Sequence, residues 1–453
     1  MRVLSALQGG RRVNKDAILE TVKKEEVKFV QMQFMDILGT VKSLSIPASK
    51  LVHALDEGVI FDGSSILGYA TIDESDMRAH PDINTFRILP WSNGKLKTAR
   101  MICDIYEPSG RRFRGDPRYV LQRALEKART MGYEFNTGPE FEFFLFRMND
   151  DGSPMNTPVD SGGYFDLMPM DQAEKVRKEV SLMLDTLGFD VEAAHHEVAP
   201  GQHEIDLRYS DALTSADRIL TLKHAVKNVA RSHGLHASFM PKPIYGENGN
   251  GMHIHQSLFT LDGENAFYDP EGEKGLSDAA RHYIGGLLRY AKEDCAILAS
   301  WVNSYKRLVP GYEAPVYVSW AFHNRSALVR IPAGRERRTR AEVRNPDPAG
   351  NPYLQFAVLL QAGLKGIEEK IEPPKPVEND LYSMDARTRE KLGIEGLPES
   401  LGHALQIMEE SKFMRQSLGD HIFEHFLHIK RKEWEEYRSQ VTGWELERLL
   451  GVL

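Results

Sequence analysis

The chain has 453 residues, 41% hydrophobic and 27% charged, which suits a globular protein of two or three domains. A net charge of −8 excludes a protein whose main task is gripping nucleic acid, since that needs a basic surface. Cys103 and Cys295 are too few for a thiolate metal cage or a disulfide framework. The N-terminal stretch lacks a signal peptide's apolar run, and no window approaches the ~18 apolar residues of a membrane span, so the expectation is a cytoplasmic protein with no membrane contact.

In chain order, a helix is predicted from Asn14 to Lys24. Alternating strands follow at 28–36 and 40–47, joined at Leu38-Gly39, with Ser49 placed to cap a short helix after Pro47. Strands at 85–91 and 98–106 complete a small sheet, and residues 61–77 read as an ordered loop rich in Gly, Ser and Asp. The polar, turn-rich segment 107–118 marks a boundary, giving domains at 1–112 and 113–453. Beyond it come a helix from Tyr119 to Met131, a strand at Glu140, a Gly/Asn/Pro-rich loop at 149–163, a helix near 171–187 and the strand FDVEAA. Helices near 211–233, 276–298 and 352–371 follow, with more after Glu399. The ending VTGWELERLLGVL reads as an apolar helical tail that docks either on another subunit or on its own core.

Five stretches carry chemistry. In Gly138-Pro-Glu-Phe-Glu-Phe-Phe-Leu-Phe146, strand alternation sends Glu140 and Glu142 to one face and Phe141 and Phe143 to the other. The phenyl face demands burial. The paired carboxylates repel unless their face is solvated or holds a cation, and oxygen ligands suit Mg²⁺ or Mn²⁺. In His195-His-Glu-Val-Ala-Pro-Gly-Gln-His-Glu204, a two-residue turn at Pro200-Gly201 puts Glu197 directly opposite Glu204, a second pair needing compensation. Neither His-Glu pair extends to HExxH, so zinc-protease chemistry is unsupported.

Gly246 to Ser257 is a Gly-rich loop running into a strand, neither a Walker A sequence nor a Rossmann fingerprint. His253 and His255 share a face there, either as core histidines or with one on a metal and one on an anion. The densest basic region runs from Asn324 to Arg344. Its alternation places Arg340, Glu342 and Arg344 on one face, as a surface salt-bridge row or as a site for phosphate and carboxylate. Upstream, Asn303 to Pro315 adds Arg307 and a Pro-Gly loop ending in Glu313, either a plain surface loop or a flap with an acid suited to general-base work.

Together with FDGSSI, NRSALVRIP and RAEVRNPDPAGNPYL, these stretches resemble, in order and spacing, the motifs of type I glutamine synthetases over nearly the whole chain. The resemblance implies an α+β fold, a β-grasp-like N-terminal domain followed by a larger catalytic α/β domain, in a homo-oligomeric dodecamer of two stacked hexameric rings. It implies two or more Mg²⁺ per active site, with Mn²⁺ the alternative: Glu142, Glu197 and Glu204 on one ion, and Glu140, His253 and Glu342 on the other. ATP, a substrate, would meet Glu192, His255, Ser257, Arg330, Arg335 and Arg340, with Arg325 facing the moving γ-phosphoryl group. Glutamate would meet Asn248, Gly249, Arg307 and Arg344. Asp62 and Ser65 would come from the neighbouring subunit, Asp62 helping to deprotonate ammonium and Glu313 closing the flap.

The implied reaction joins L-glutamate and ammonia at the expense of ATP through γ-glutamyl phosphate, because a carboxylate is a poor electrophile until phosphorylated. A γ-glutamyl-amine ligase would share nearly all these motifs; Asp62 favours ammonia. A dead ring scaffold should have lost metal ligands, and all six are present. In the adenylylated branch the modified tyrosine sits in a context like NLYDLP, whereas Asp380-Leu-Tyr382-Ser-Met has lost most of it, so Tyr382 is predicted to stay unmodified. The spacing of IPAGRERRTRAEVR matches the shorter, feedback-inhibited branch, yet Thr71 stands where that branch has a glutamine-sensing arginine, which predicts weak glutamine feedback. Effectors and regulatory protein partners are not legible.

Overall fold

The computed structural model describes residues 14–69, 76–92 and 94–453. Thr71 lies outside the described residues.

The first sheet has six strands. Its order is Val41–Pro47, Phe29–Met35, Thr98–Tyr106, Asp76–Pro81 and Val59–Asp62, with the short Arg87–Ile88 strand against Thr98–Tyr106. Phe29–Met35 pairs parallel with Thr98–Tyr106, and the other pairs are antiparallel, in a β-grasp arrangement. Period-2 alternation buries Val30, Met32 and Phe34 against Ile18 and Val22 of the Lys15–Lys24 helix. The strand expected at 85–91 is only two residues long, because Asp82 accepts from the Asn84 N–H and closes a 3₁₀ turn over Ile83–Thr85. Ser49 caps nothing; it sits inside a 3₁₀ turn, and the Leu51–Glu57 helix starts after Lys50.

The second sheet has ten strands arranged around the 16-residue Tyr133–Met148 strand, with which five other strands pair. On one side lies Met252–Thr260 and then Ala341–Val343; on the other lies Gln202–Leu207 and then Val191–His196. Phe141 and Phe143 are fully buried in the main core, which the Pro117–Thr130, Ala212–Ser232 and Pro352–Glu369 helices share. Each of these helices has a legible start: Asp116 before Pro117, Asp211 accepting from Thr214, and Asn351 before Pro352. The helix expected at 276–298 is interrupted, running from Asp278 to Tyr290 and resuming over Cys295–Leu298. Buried Arg118 ties the first sheet to the Ala212–Ser232 helix, reaching Asp82 at 2.8 Å and Asp104 at 2.6 Å on one side and Asp217 at 2.9 Å on the other.

The terminal Gly443–Leu449 helix has a capping box of Thr442 and Glu445 but no packed face. Trp444 is 63% and Leu450 78% exposed, so the tail does not dock on its own core. Among the described residues, no helix is long and apolar enough to cross a membrane.

Candidate active site

Strand register gathers the acidic residues. Glu142 pairs with Glu204 across one ladder, and Glu140 pairs with His253 across the other and with Asp206 opposite. His255 faces Glu342 on the next strand out. Four adjacent strands therefore present their acids and imidazoles to one face, opposite the buried phenyl rings. The hairpin register differs from the expected one: His195, not Glu197, lies opposite Glu204, because the turn is longer than Pro200-Gly201 alone and Glu197 donates its N–H to Gln202. The slip is by two residues, so Glu197 keeps its face.

Two groups result, each with ligand atoms within 4.8 Å of one another: Glu140, His253 and Glu342, and His195, Glu197 and Glu204. The first matches the expected set. In the second His195 stands where Glu142 was expected, its Nε2 3.1 Å from Glu204 Oε1. Glu142 lies beside both groups. Its Oε2 accepts from the Gly251 N–H and from Gln202, both at 2.8 Å, and its Oε1 faces His253 Nε2 at 4.0 Å. Gly251 must be glycine there, since a Cβ would sit 2.7 Å from the Arg307 guanidinium and 2.9 Å from His253 Nε2.

Tautomers follow from the partners. Arg340 Nε donates to His255 Nδ1 at 3.1 Å, so the proton of His255 is on Nε2, which reaches Glu140 at 2.6 Å. His253 Nδ1 bonds Glu140 at 2.9 Å, leaving Nε2 as the lone pair facing the cavity. Burial raises the Glu140 carboxyl, but these two imidazole hydrogen bonds outweigh it and hold the group well below the ordinary range. Burial, with Arg344 nearby, brings His253 down to about 4, so its imidazole is neutral. Glu142 is pushed up by burial and by Glu197 and Glu204; burial, Asp206 and Glu140 push Glu204 up to about 11. An oxygen-rich, partly dehydrated donor set with neutral imidazoles and uncompensated carboxylates fits hard divalent cations.

The acids lie at the junction of two cavities. One, about 300 Å³, is lined by both groups together with Asn248, Gly249, Arg307, Glu313, Arg325, Arg330 and Arg344. The other, about 480 Å³, is lined by Glu192, His255, Ser257 and Arg340. Glu140 and Asp206 line both. Arg330 and Arg344 hold Glu342 between them at 2.5 and 2.7 Å. Arg307 is buried behind the first cavity, donating to the carbonyls of Arg344, Asn345 and Pro346. Arg335 is in neither lining; its guanidinium is taken up by the carbonyls of Lys274, Pro332 and Gly334. Asp62 and Ser65 lie in neither cavity. Asp62 ends the edge strand of the first sheet, where its carboxylate accepts from Ser64 and Ser65.

Sequence reasoning missed Gln202, Asp206, Gly251 and Tyr164 of the site. Gln202 and Asp206 were readable, each two residues from Glu204 on the same strand and hence on its face. Tyr164 comes from the loop at 149–163 and just beyond, which no periodicity places.

Comparison with known proteins agrees with this geometry. "Glutamine synthetase, beta-Grasp domain" matches residues 26–108 and "Glutamine synthetase, catalytic domain" matches 114–449. Glutamine synthetase of Methanosarcina mazei is 51% identical, aligned over 97% of this chain and 98% of its own. That of Thermotoga maritima is 49% identical over 96% and 99%. A solved structure described as "GmaS/ADP complex-Conformation 1" superposes with a TM-score of 0.88 at 33% identity, covering 97% of this chain and all of its own. With both domains matched in order and half of all positions shared along nearly its full length, the chain belongs to the glutamine synthetase family.

Proposed function

We propose that the two acid and histidine groups each hold a magnesium ion, and that over them the chain carries out its reaction, the ATP-dependent ligation of ammonia to L-glutamate that yields L-glutamine, ADP and phosphate. The observation that carries this reading is the shared wall. Glu140 and Asp206 border both cavities, so a nucleotide in the larger one would present its terminal phosphate to a carboxylate in the smaller. Glu140, His253 and Glu342 would hold one ion, and Glu197 and Glu204 the other, with Glu142 Oε1 and His195 beside it. Bound, the ions supply charge neutralisation for phosphoryl transfer.

In this reading Arg325 and Arg330 face the transferred phosphoryl group, while Glu192, His255, Ser257 and Arg340 take the nucleotide. Asn248, Gly249 and Arg344 form the glutamate pocket with Arg307 behind it. Glu313 closes the flap against water, which would otherwise hydrolyse γ-glutamyl phosphate. Asp62 and Ser65 serve the site of the next subunit in a dodecamer of two hexameric rings, a reading supported by their place at the end of the sheet's edge strand and in the turn after it, and by the bare apolar tail. ATP and glutamate place the work in the cytoplasm.

The test is phosphate release from ATP, Mg²⁺ and glutamate, with and without ammonium, alongside detection of glutamine. Ammonium-dependent release is expected, with Mn²⁺ in place of Mg²⁺ as the control for ion identity. Release with an organic amine but not with ammonium would replace this reading by a γ-glutamyl-amine ligase.

A further inference from the structure

The flap around Glu313 holds little of itself together. Among the described residues, no backbone bond involves the N–H groups of Gly311 to Ala314. Gly311 has φ of +93° and Glu313 φ of +57°, the latter in the left-handed region that glutamate seldom enters. The flap is therefore kept in place by side chains. Arg344 reaches the Glu313 carbonyl at 3.4 Å, and Tyr382 donates to the Ala314 carbonyl at 2.7 Å.

The third contact is Lys242. It is a buried lysine whose ammonium is met by the Glu247 carbonyl and by the face of Tyr312, 3.6 Å from the ring centre. A buried cation needs such partners, and an aromatic face supplies one. The rest of the residue is pinned on two sides. Its N–H donates to Asn303 Oδ1 at 2.7 Å and its carbonyl accepts from Asn303 Nδ2 at 3.0 Å, a reciprocal clamp onto the residue that precedes the Ser304–Arg307 turn. Its stem packs on Gly249, where a Cβ would lie 3.3 Å from Lys242 Cδ and 2.2 Å from the Pro241 carbonyl. One residue thus touches the Asn248 loop and the flap with its side chain and the Arg307 turn with its backbone.

We propose that Lys242 is a positioning residue that latches the flap through Tyr312, so that the glutamate pocket and the lid over it close as one piece. The inference rests on the reading of Glu313 as the acid of a water-excluding flap. With the latch broken, the flap opens more often and water competes with ammonia for the phosphorylated substrate. Water then attacks the acyl carbon, the bond to phosphate breaks, and glutamate and phosphate return without glutamine being made.

The experiment compares phosphate with glutamine formed by the full chain and by Lys242→Met, Lys242→Arg, Tyr312→Leu and Tyr312→Phe. Lys242→Met and Tyr312→Leu are expected to raise phosphate released per glutamine about ten-fold, with KM for ATP unmoved. Lys242→Arg and Tyr312→Phe keep a cation and a ring, and are expected to hold the ratio close to the parent's. A merely structural role would lower activity without changing this ratio. Tyr312→Leu, on a partly exposed loop, keeps the test intact where Lys242→Met fails to fold. Coupled Met and Leu variants of an active parent would overturn the latch alone, and so would a Phe variant as uncoupled as Leu. A parent that releases no phosphate with glutamate would overturn the site reading and the latch with it.

Discussion

The hairpin of Val191–His196 and Gln202–Leu207 buries ions on both its faces and treats them in opposite ways. Away from the cavities, His196 lies between Asp160 Oδ1 at 3.0 Å and the Glu197 carbonyl at 2.7 Å. Both partners accept, so the ring carries both protons and is a cation. Asp160 also accepts from the N–H groups of Gly201 and Gln172. Arg177 forks onto Asp171 at 3.0 and 2.5 Å and donates to His203 Nδ1 at 2.9 Å. Charges balance there: burial would raise Asp160, but the His196 hydrogen bond outweighs it and the group falls to about 2. On the cavity face the paired arginines go to Glu342, and Glu142, Glu197 and Glu204, which have none paired to them, all rise. Proximity alone does not separate the faces, since Asp160, His196 and His203 are also close enough to hold a metal. Proton placement does. Both nitrogens of His196 are protonated, and an arginine on Nδ1 of His203 leaves its proton on Nε2, so neither ring has a lone pair to give.

The largest effect that tests this contrast is on the cavity face. Glu342→Ala should lower glutamine formation about 10³-fold, the several kcal/mol that metal-stabilised charge is worth. Glu204→Gln, which replaces a carboxyl that must hold a proton in the metal-free fold by a neutral amide, should leave the metal-free protein as stable as the parent or more so, while abolishing stabilisation by Mg²⁺. A Glu204→Gln chain that melts earlier without Mg²⁺ would show that the carboxylate is already compensated by protein groups.

On the opposite face the sign reverses. Asp171→Ala strands the buried Arg177 guanidinium, and should cost ~3–5 kcal/mol in denaturant unfolding, equally with and without Mg²⁺. A loss that Mg²⁺ rescues would mean that the two faces are not independent.

Next in size is the pH dependence. Without Mg²⁺ the folded chain keeps on Glu204 a proton that the unfolded chain releases near the ordinary 4.5. The folded state then binds more protons, so stability falls as pH rises from there toward about 11, by about 1.4 kcal/mol per pH unit for one such group. Saturating Mg²⁺ should flatten the slope between about pH 6 and 9 in thermal melts. Asp160 behaves the other way. Its depressed carboxyl contributes fully above the ordinary 3.8, and that contribution is lost as pH falls through about 2, whatever the Mg²⁺ concentration. A slope at neutral pH that ignores Mg²⁺ would break the assignment of the acids to cation binding.

These differences also mark how far the sequence can be read. Glu140 and Glu142 were legible because a strand's period fixes their face, and the phenyl rings between them fix which face is buried. Asp116, Asp211 and Asn351 cap their helices by a local interaction and so could have been read, yet Asp116 was passed over and its helix expected only from Tyr119. The hairpin register was misjudged by two residues because loop length is set by contacts outside the loop. Asp160 accepts from the Gly201 N–H across 41 positions of sequence, and a Cβ on Gly201 would meet the Leu145 carbonyl at 2.9 Å. His195 entered the second group through that slip. The balanced network of Asp160, Asp171, Arg177, His196 and His203 left no trace in the sequence, since its members lie on a loop, a helix and two strands with no shared period.

The smallest expected effect comes from a neutral hydrogen bond at the rim of the cavity. The Tyr382 hydroxyl donates to the Ala314 carbonyl at the end of the flap, and burial raises the phenol to about 12. Adenylylation would need this oxygen as a nucleophile, free of its partner and reachable by another enzyme; here it is half-buried and its proton is engaged. Together with the altered Asp380-Leu-Tyr382-Ser context, this predicts an unmodified residue, checked by intact mass of protein purified from its native cells. Tyr382→Phe removes the donor without touching an ion, and should cost only ~1 kcal/mol of stability. The lost bond leaves one neutral carbonyl beside the cavity, unlike the charged guanidinium stranded by Asp171→Ala. An AMP adduct at Tyr382 would show that the flap end releases its hydroxyl often enough to be modified, and would place this contact among the gated parts of the site.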